Sequence, residues 1–187
     1  LAHEASLKLA KANFYKKDFD WTLQQVKVLK QSPSLLIAND AIEMFLLIQD
    51  NSAEDSLRVA LQAYAKADLQ MYQNKNEEAL QSFLTILEKH KGESIEDETL
   101  LKIADIYYQK KDYLKALSYY QNILDNHKEG IYIDEALFFS AEIYRKHLLD
   151  NEKAKPLYEK MVLEHPDSLY YTESRKQYRT LRGDTTI

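Results

Sequence analysis

Ile103-Ala104-Asp105-Ile106-Tyr107-Tyr108-Gln109-Lys110-Lys111-Asp112-Tyr113 runs directly into Leu114-Lys115-Ala116-Leu117-Ser118-Tyr119-Tyr120-Gln121-Asn122-Ile123-Leu124. Apolar or small residues at 100, 103, 104 and 107 form one helical stripe, and Lys110-Lys111-Asp112 breaks it. A second stripe follows at 116, 117, 120, 123 and 124. Two amphipathic helices joined by so short a connection must lie antiparallel. Ala104 and Ala116 are small enough to let their backbones approach closely.

The unit recurs, and a fixed period is the signature of a repeat architecture. Ala67, Ala79, Phe83 and Ile86 lie 37 residues before Ala104, Ala116, Tyr120 and Ile123. Ala141 and Tyr144 lie 37 after Ala104 and Tyr107, whereas Ala154 and Tyr158 lie 38 after Ala116 and Tyr120, so His147 to Asn151 holds one extra residue. Upstream, Leu9-Ala10, Lys16-Lys17-Asp18-Phe19, Val26, Leu29 and Pro33 form a weaker copy.

These residues resemble the tetratricopeptide (TPR) repeat family. Its pattern is a Leu-Gly/Ala pair, a Tyr three residues on, a Gly-Asp-Tyr-like turn, an Ala, an aromatic four later and a closing Pro. Ile103, Ala104, Tyr107, Asp112, Tyr113, Ala116 and Tyr120 match it best. The chain departs from it in its 37–38-residue period, in Lys or Asn where the turn Gly belongs, and in Thr22 where an Ala is expected. The long period and the ending Glu164-His165-Pro166-Asp167-Ser168-Leu169-Tyr170 resemble a bacterial cell-envelope subgroup. That subgroup includes the Tol-Pal coordinator and the outer-membrane assembly lipoprotein, and the pattern is also similar to TPR proteins of Bacteroidetes-type bacteria. The resemblance implies an all-α solenoid, with antiparallel helix pairs stacked in a right-handed superhelix, that binds other proteins and is not an enzyme. It also implies a periplasmic or envelope location.

About ten helices are expected, near 2–16, 19–31, 34–49, 54–73, 77–91, 97–110, 113–127, 132–147, 151–165 and 168–181, in a single array over 1–182 with a frayed tail at 183–187. From Thr22 to its counterpart Ala79 is 57 residues, a surplus of 20 over the period that equals one helix with its connection. The surplus falls on Leu35 to Gln49, apolar on nearly all sides, which is expected to be an added helix that is buried or packed. The last helix should cap the final repeat.

Bulk composition narrows the function classes. A chain of 187 residues that is 45% hydrophobic can bury a sizeable core, and three Gly and three Pro suit helices with short connections. Net charge is −5 with no dominant Lys/Arg cluster, a poor match to the basic stripe that nucleic acid requires. Without cysteine there is no disulfide, thiolate zinc site or thiol catalysis. No stretch reaches the length of a membrane span. The chain starts at Leu1, consistent with a processed form or a fragment. Gly-rich phosphate loops, nucleophile elbows and His/carboxylate metal motifs are missing, so no cofactor or metal is expected.

Asp68, Asp105 and Glu142 stand 37 residues apart, each directly after the small residue at the helix–helix seam. One residue turns the helix by about 100°, which predicts that these acids point away from the second helix into an inner groove. Tyr64 and Met71, Leu101 and Tyr108, and Phe138 and Arg145 share that stripe. Together these nine residues are the candidate groove for a peptide or helix bearing Lys or Arg. The competing reading is a solvated stripe with internal salt bridges. The family's carboxylate clamp uses Lys, Asn and Arg on this face; here the positions hold mainly acids and apolar residues, and the resemblance does not carry that activity over. A different function class also stays open: a structural or oligomerisation segment of a longer repeat protein, docking upstream repeats through Leu1 to Ala12.

Other singled-out residues have plainer readings. His90, His127 and His165 sit at matching helix ends, where a donor satisfies terminal carbonyls. Asp97 and Asp134 precede helices as caps, with Glu98 and Glu135 in the first turn. Trp21, the one Trp, covers a seam or anchors a partner.

Overall fold

A computed structural model describes residues 2–53, 57–128 and 130–184. The described residues contain ten α-helices and no strand: α1 Ala2–Tyr15, α2 Phe19–Leu29, α3 Leu35–Ala53, α4 Val59–Tyr72, α5 Asn76–Lys89, α6 Glu96–Gln109, α7 Tyr113–Asn126, α8 Ile133–Glu142, α9 Asn151–Glu164 and α10 Tyr171–Arg182. A π-helical turn, Ile143–His147, extends α8. The chain is all-α, and consecutive helices pack in pairs. It divides into two compact units, Leu1–Thr99 and Leu100–Ile187.

Each pair turns on one backbone device. Lys17, Asn74, Lys111 and Leu149 all have positive φ, at 66°, 60°, 62° and 54°. This left-handed residue ends the first helix as in a Schellman motif. The next residue bonds back five positions in three pairs: Asp18 N–H to Asn13 O, Lys75 to Gln70 and Asp112 to Tyr107. In the last pair Asp150 N–H reaches Tyr144 O, six positions back, and Leu148 N–H closes a π bond to Ile143 O. The extra residue of the 38-residue period is thus absorbed inside the helix end, and the turn itself is preserved. Asp112 and Asp150 then cap α7 and α9, accepting from Lys115 N and Lys153 N.

In the unit of residues 1–99, α1 pairs with α2 and α4 with α5. Phe14 meets Phe19 at 5.4 Å between ring centroids, and Tyr64 meets Phe83 at 5.5 Å. Thr22 is fully buried in the seam, and its hydroxyl donates to Asp18 O at 2.7 Å. A backbone partner therefore satisfies the one polar group that the Ala-to-Thr departure introduces. The added helix α3 packs mainly on α2 and touches α1 and α4. It buries Ala38, Ala41, Met44, Leu47 and Ile48 and leaves Leu35 and Leu36 exposed. It runs to Ala53, beyond the expected end at 49. The first helical turn expected at 54–56 lies outside the described residues, and α4 begins at Val59.

In the unit of residues 100–187, α7 packs on α8, α8 on α9 and α9 on α10. Tyr107 of α6 stacks on Tyr119 of α7 at 5.7 Å. Ala141, Ala154 and Tyr158 form the core of the last pair, covered by Tyr178 and Leu181 of α10. Gly183, in the left-handed region at φ 83°, ends α10. Of the expected tail, residues 185–187 lie outside the described residues.

Candidate interaction face

The seam aromatics decide where the acids point. Tyr120 and Tyr158, on the second helices of the two later pairs, are buried to within 1%. Tyr120 Oη donates to Asp105 at 3.0 Å, and Tyr158 Oη donates to Glu142. This corrects the expected orientation: these two carboxylates turn toward the partner helix. Burial pushes the Asp105 carboxyl up, against the opposing effects of Lys102 and of the Tyr120 hydrogen bond. Burial also acts to raise Glu142, but hydrogen bonds from Lys146, Tyr158 and Arg145 outweigh it and hold Glu142 below its ordinary value. Both tyrosine hydroxyls are pushed far up, first by burial and then by the acid each one serves.

Glu142 is the centre of a small charged network. Its side chain is 6% exposed; Arg145 pairs with it at 3.0 Å and Lys146 reaches its other oxygen. Arg145 Nε also donates to Tyr158 Oη at 3.2 Å. The structure thus brings Glu142 and Arg145 together, as an internal ion pair.

Asp68 differs. The seam aromatic of its pair is Phe83, which has no hydroxyl, and Asp68 instead accepts from Tyr15 Oη of α1 at 2.9 Å. Burial, then Asp68, raises the Tyr15 hydroxyl. Two further groove candidates, Tyr64 and Leu101, are 3% and 6% exposed, so packing occupies them and they present no surface to a partner. Met71 is half-buried.

Tyr108 and Phe138 belong to a continuous strip of rings in the unit of residues 100–187. Tyr108 contacts Tyr113, Phe139 and His147 at centroid distances of 5.8, 6.0 and 5.8 Å. His147 lies flat on Tyr113 at 4.0 Å, and Phe138 stacks on Tyr170 at 4.6 Å. His147 is exposed, and Tyr108, Tyr113, Phe138, Phe139 and Tyr170 are half-buried. The π turn sets the position of His147, and sequence spacing signalled it only as one surplus residue. A groove of about 510 Å³ also opens between α7 and α9, floored by Leu117 and Leu157 with Leu114, Tyr144 and Pro156 at its sides. No sequence signal marked it.

The remaining candidates have structural partners. His90, His127 and His165 are the C-cap residues of α5, α7 and α9. His90 Nδ1 lies 3.0 Å from Glu93, and His165 Nδ1 lies 2.7 Å from Asp134. Among the described residues no group of three or more His, Asp or Glu is placed to hold a metal. Helix α6 begins at Glu96, one residue before its expected start, and α8 at Ile133, one residue after, and Asp97 and Asp134 sit inside their first turns and do not precede them. Glu98 is buried at 5% exposure, with its Oε2 lacking a hydrogen-bond partner among the described residues. Its carboxyl is pushed well above the ordinary range by burial and then by Asp97. Trp21 is 55% exposed, more than covering a seam would leave it.

Residues 98–129 and 135–168 match the family model of the tetratricopeptide repeat. Two repeats support a TPR family for this chain. A search of curated proteins found no match. The two matched segments cover α6–α7 and α8–α9, the pairs whose seams are closed by tyrosine. TPR repeats generally mediate protein–protein interaction and are typically non-enzymatic. No described helix is long and apolar enough to cross a membrane.

Proposed function

We propose that this chain is a protein–protein interaction scaffold that holds a partner peptide or helix on the aromatic strip of residues 100–187. The observation behind the reading is the run of six neighbouring rings, Tyr113, His147, Tyr108, Phe139, Phe138 and Tyr170, on the two matched repeats and the segment after them. Half-buried aromatics supply large, rigid contact area at little entropic cost, the usual composition of interface hot spots. Basic residues in the partner would meet the half-buried carboxylate of Asp105, since Glu142 already has two cations. An envelope setting is supported by the long period and the Glu164–Tyr170 ending alone.

A photo-crosslinking residue in place of Tyr113 tests the reading. It should yield a discrete adduct in the native source, and Tyr108→Ala with Phe138→Ala should abolish it. Equal adduct formation from an exposed position outside the strip, such as Glu152, would remove the proposal.

A second reading, an oligomerisation segment, is favoured by exposed apolar residues in the unit of residues 1–99. Trp21 and Val28 lie seven apart on α2 at 55% and 74% exposure, and Leu35 and Leu36 are both 72% exposed. Sedimentation separates the readings: this one requires a multimer that Trp21→Lys with Val28→Lys dissociates.

A further inference from the structure

Helix α10 carries Arg175, Lys176, Arg179 and Arg182 against a single acid, Glu173, in a chain whose net charge is −5. All four cations are exposed. Arg175, Arg179 and Arg182 fall at i, i+4 and i+7, so they share one face, rising by about 6 Å and then about 4.5 Å along the axis. The adjoining face is already used, because Ser174 is buried and Tyr178 and Leu181 pack on the last pair, and the Arg182 guanidinium lies 5.6 Å from the centre of the Tyr178 ring. Lys176 lies 3.9 Å from Glu173, and Asp184 lies 2.8 Å from Arg182 and 4.0 Å from Arg179. Asp184 thus displays in miniature what this face accepts, a carboxylate seated on adjacent guanidinium groups.

We propose that the arginine face of α10 docks an acidic polypeptide segment, with Arg175, Arg179 and Arg182 pairing its carboxylates. Arginine presents a planar fork that matches a carboxylate bidentately. Alternate side chains of an extended segment repeat at about 6.6–6.8 Å, close to the first arginine step. A short segment meets the helix alone, whereas a nucleic acid or an anionic membrane also meets the long-range field of a chain with net charge −5. Membrane insertion would further need the apolar face of α10, which is spent on packing. Self-association against α1 is disfavoured by charge, since α1 carries Lys8 and Lys11 against Glu4.

The test is fluorescence anisotropy of a labelled peptide of about a dozen residues, alternating Glu and Ser, titrated with the whole chain. Binding should be saturable and weaken with salt, and R175E/R179E/R182E should weaken it on the order of tenfold or more. Asp184→Asn should tighten it about two- to threefold by releasing Arg182. An equal charge change at exposed Lys66, Lys89 and Lys91 should leave it unaltered. Circular dichroism reports whether the reversed variant folds, and the corresponding glutamine variant takes its place if it does not. The proposal is overturned if the charge change outside α10 weakens binding equally, or if the α10 variants bind like the parent. It is equally overturned if phosphatidylserine vesicles or single-stranded DNA bind the parent as tightly as the peptide does.

Discussion

The pairs α4/α5 and α6/α7 share a repeat pattern, and among their differences is one hydroxyl at the seam, absent from Phe83 and present on Tyr120. Phe83 and Tyr120 occupy equivalent, fully packed positions, each facing an acid fifteen residues earlier. Where the hydroxyl is present, the acid is held by its own pair, Asp105 by Tyr120. Where it is missing, Asp68 is held by a neighbouring pair through Tyr15. An acid recurring at the repeat period can therefore serve to close a pair in one place and to join two pairs in another. Neither role requires a ligand, which is why the row of acids is a weaker pointer to a binding groove than the rings around Tyr108.

The largest expected effects are at the two buried acids, one in each unit, which respond to pH with opposite sign. Glu142→Ala should cost about 2–4 kcal/mol in urea unfolding, because it strands Tyr158 and Arg145 beside an apolar seam. The Glu142 pKa is held below the ordinary 4.5, so its contribution is present above that value and is lost as pH falls through the lowered pKa. Glu98 has a raised pKa, so its contribution is complete below 4.5 and is lost as pH rises toward the raised value. Glu98→Gln should flatten that decline, and a decline of unchanged steepness would assign it to other groups.

Tyr120→Phe converts the α6/α7 seam to the Phe83 type and should cost about 1–2 kcal/mol, since Asp105 loses its donor. A cost indistinguishable from zero would show that the hydroxyl is incidental. The converse exchange is a smaller effect read as a cycle. Tyr15→Phe should destabilise by about 1 kcal/mol, and Phe83→Tyr should recover part of that loss in the Tyr15→Phe background while giving no gain in the parent. Additive behaviour would break the claim that the two hydroxyls compete for Asp68. The smallest effect is at the turn: Leu149→Gly relieves a left-handed, β-carbon-bearing residue and should raise stability by about 0.5–1 kcal/mol.

The fold was legible because helix pairing is written locally. Ala104 and Ala116 mark where two backbones approach, and Lys110-Lys111-Asp112 marks where the chain reverses; the ten helices follow from such spacings. The departure at the turn was legible in three pairs: Lys or Asn stands where the family has Gly, and Lys17, Asn74 and Lys111 have positive φ, whereas Leu149, which takes that place in the last pair, carried no such mark. The direction of the acids was not legible. Rotation about one helix axis fixes where a Cβ lies, but a carboxylate turns to the nearest donor.

Sequence alone therefore determined the helical repeat, its period, its turns and the surplus residue before Asn151. Tertiary structure decided what those positions do. The donors to Asp68, Asp105 and Glu142 come from 53, 15 and 16 residues away, and only folding brings them within reach. The surplus residue became a π turn because the Asp150-capped turn was kept and the helix end had to absorb it, and that placed His147 on Tyr113. Spacing encodes contacts within a repeat, whereas hydrogen bonds between elements depend on which side chains the packed helices leave facing one another.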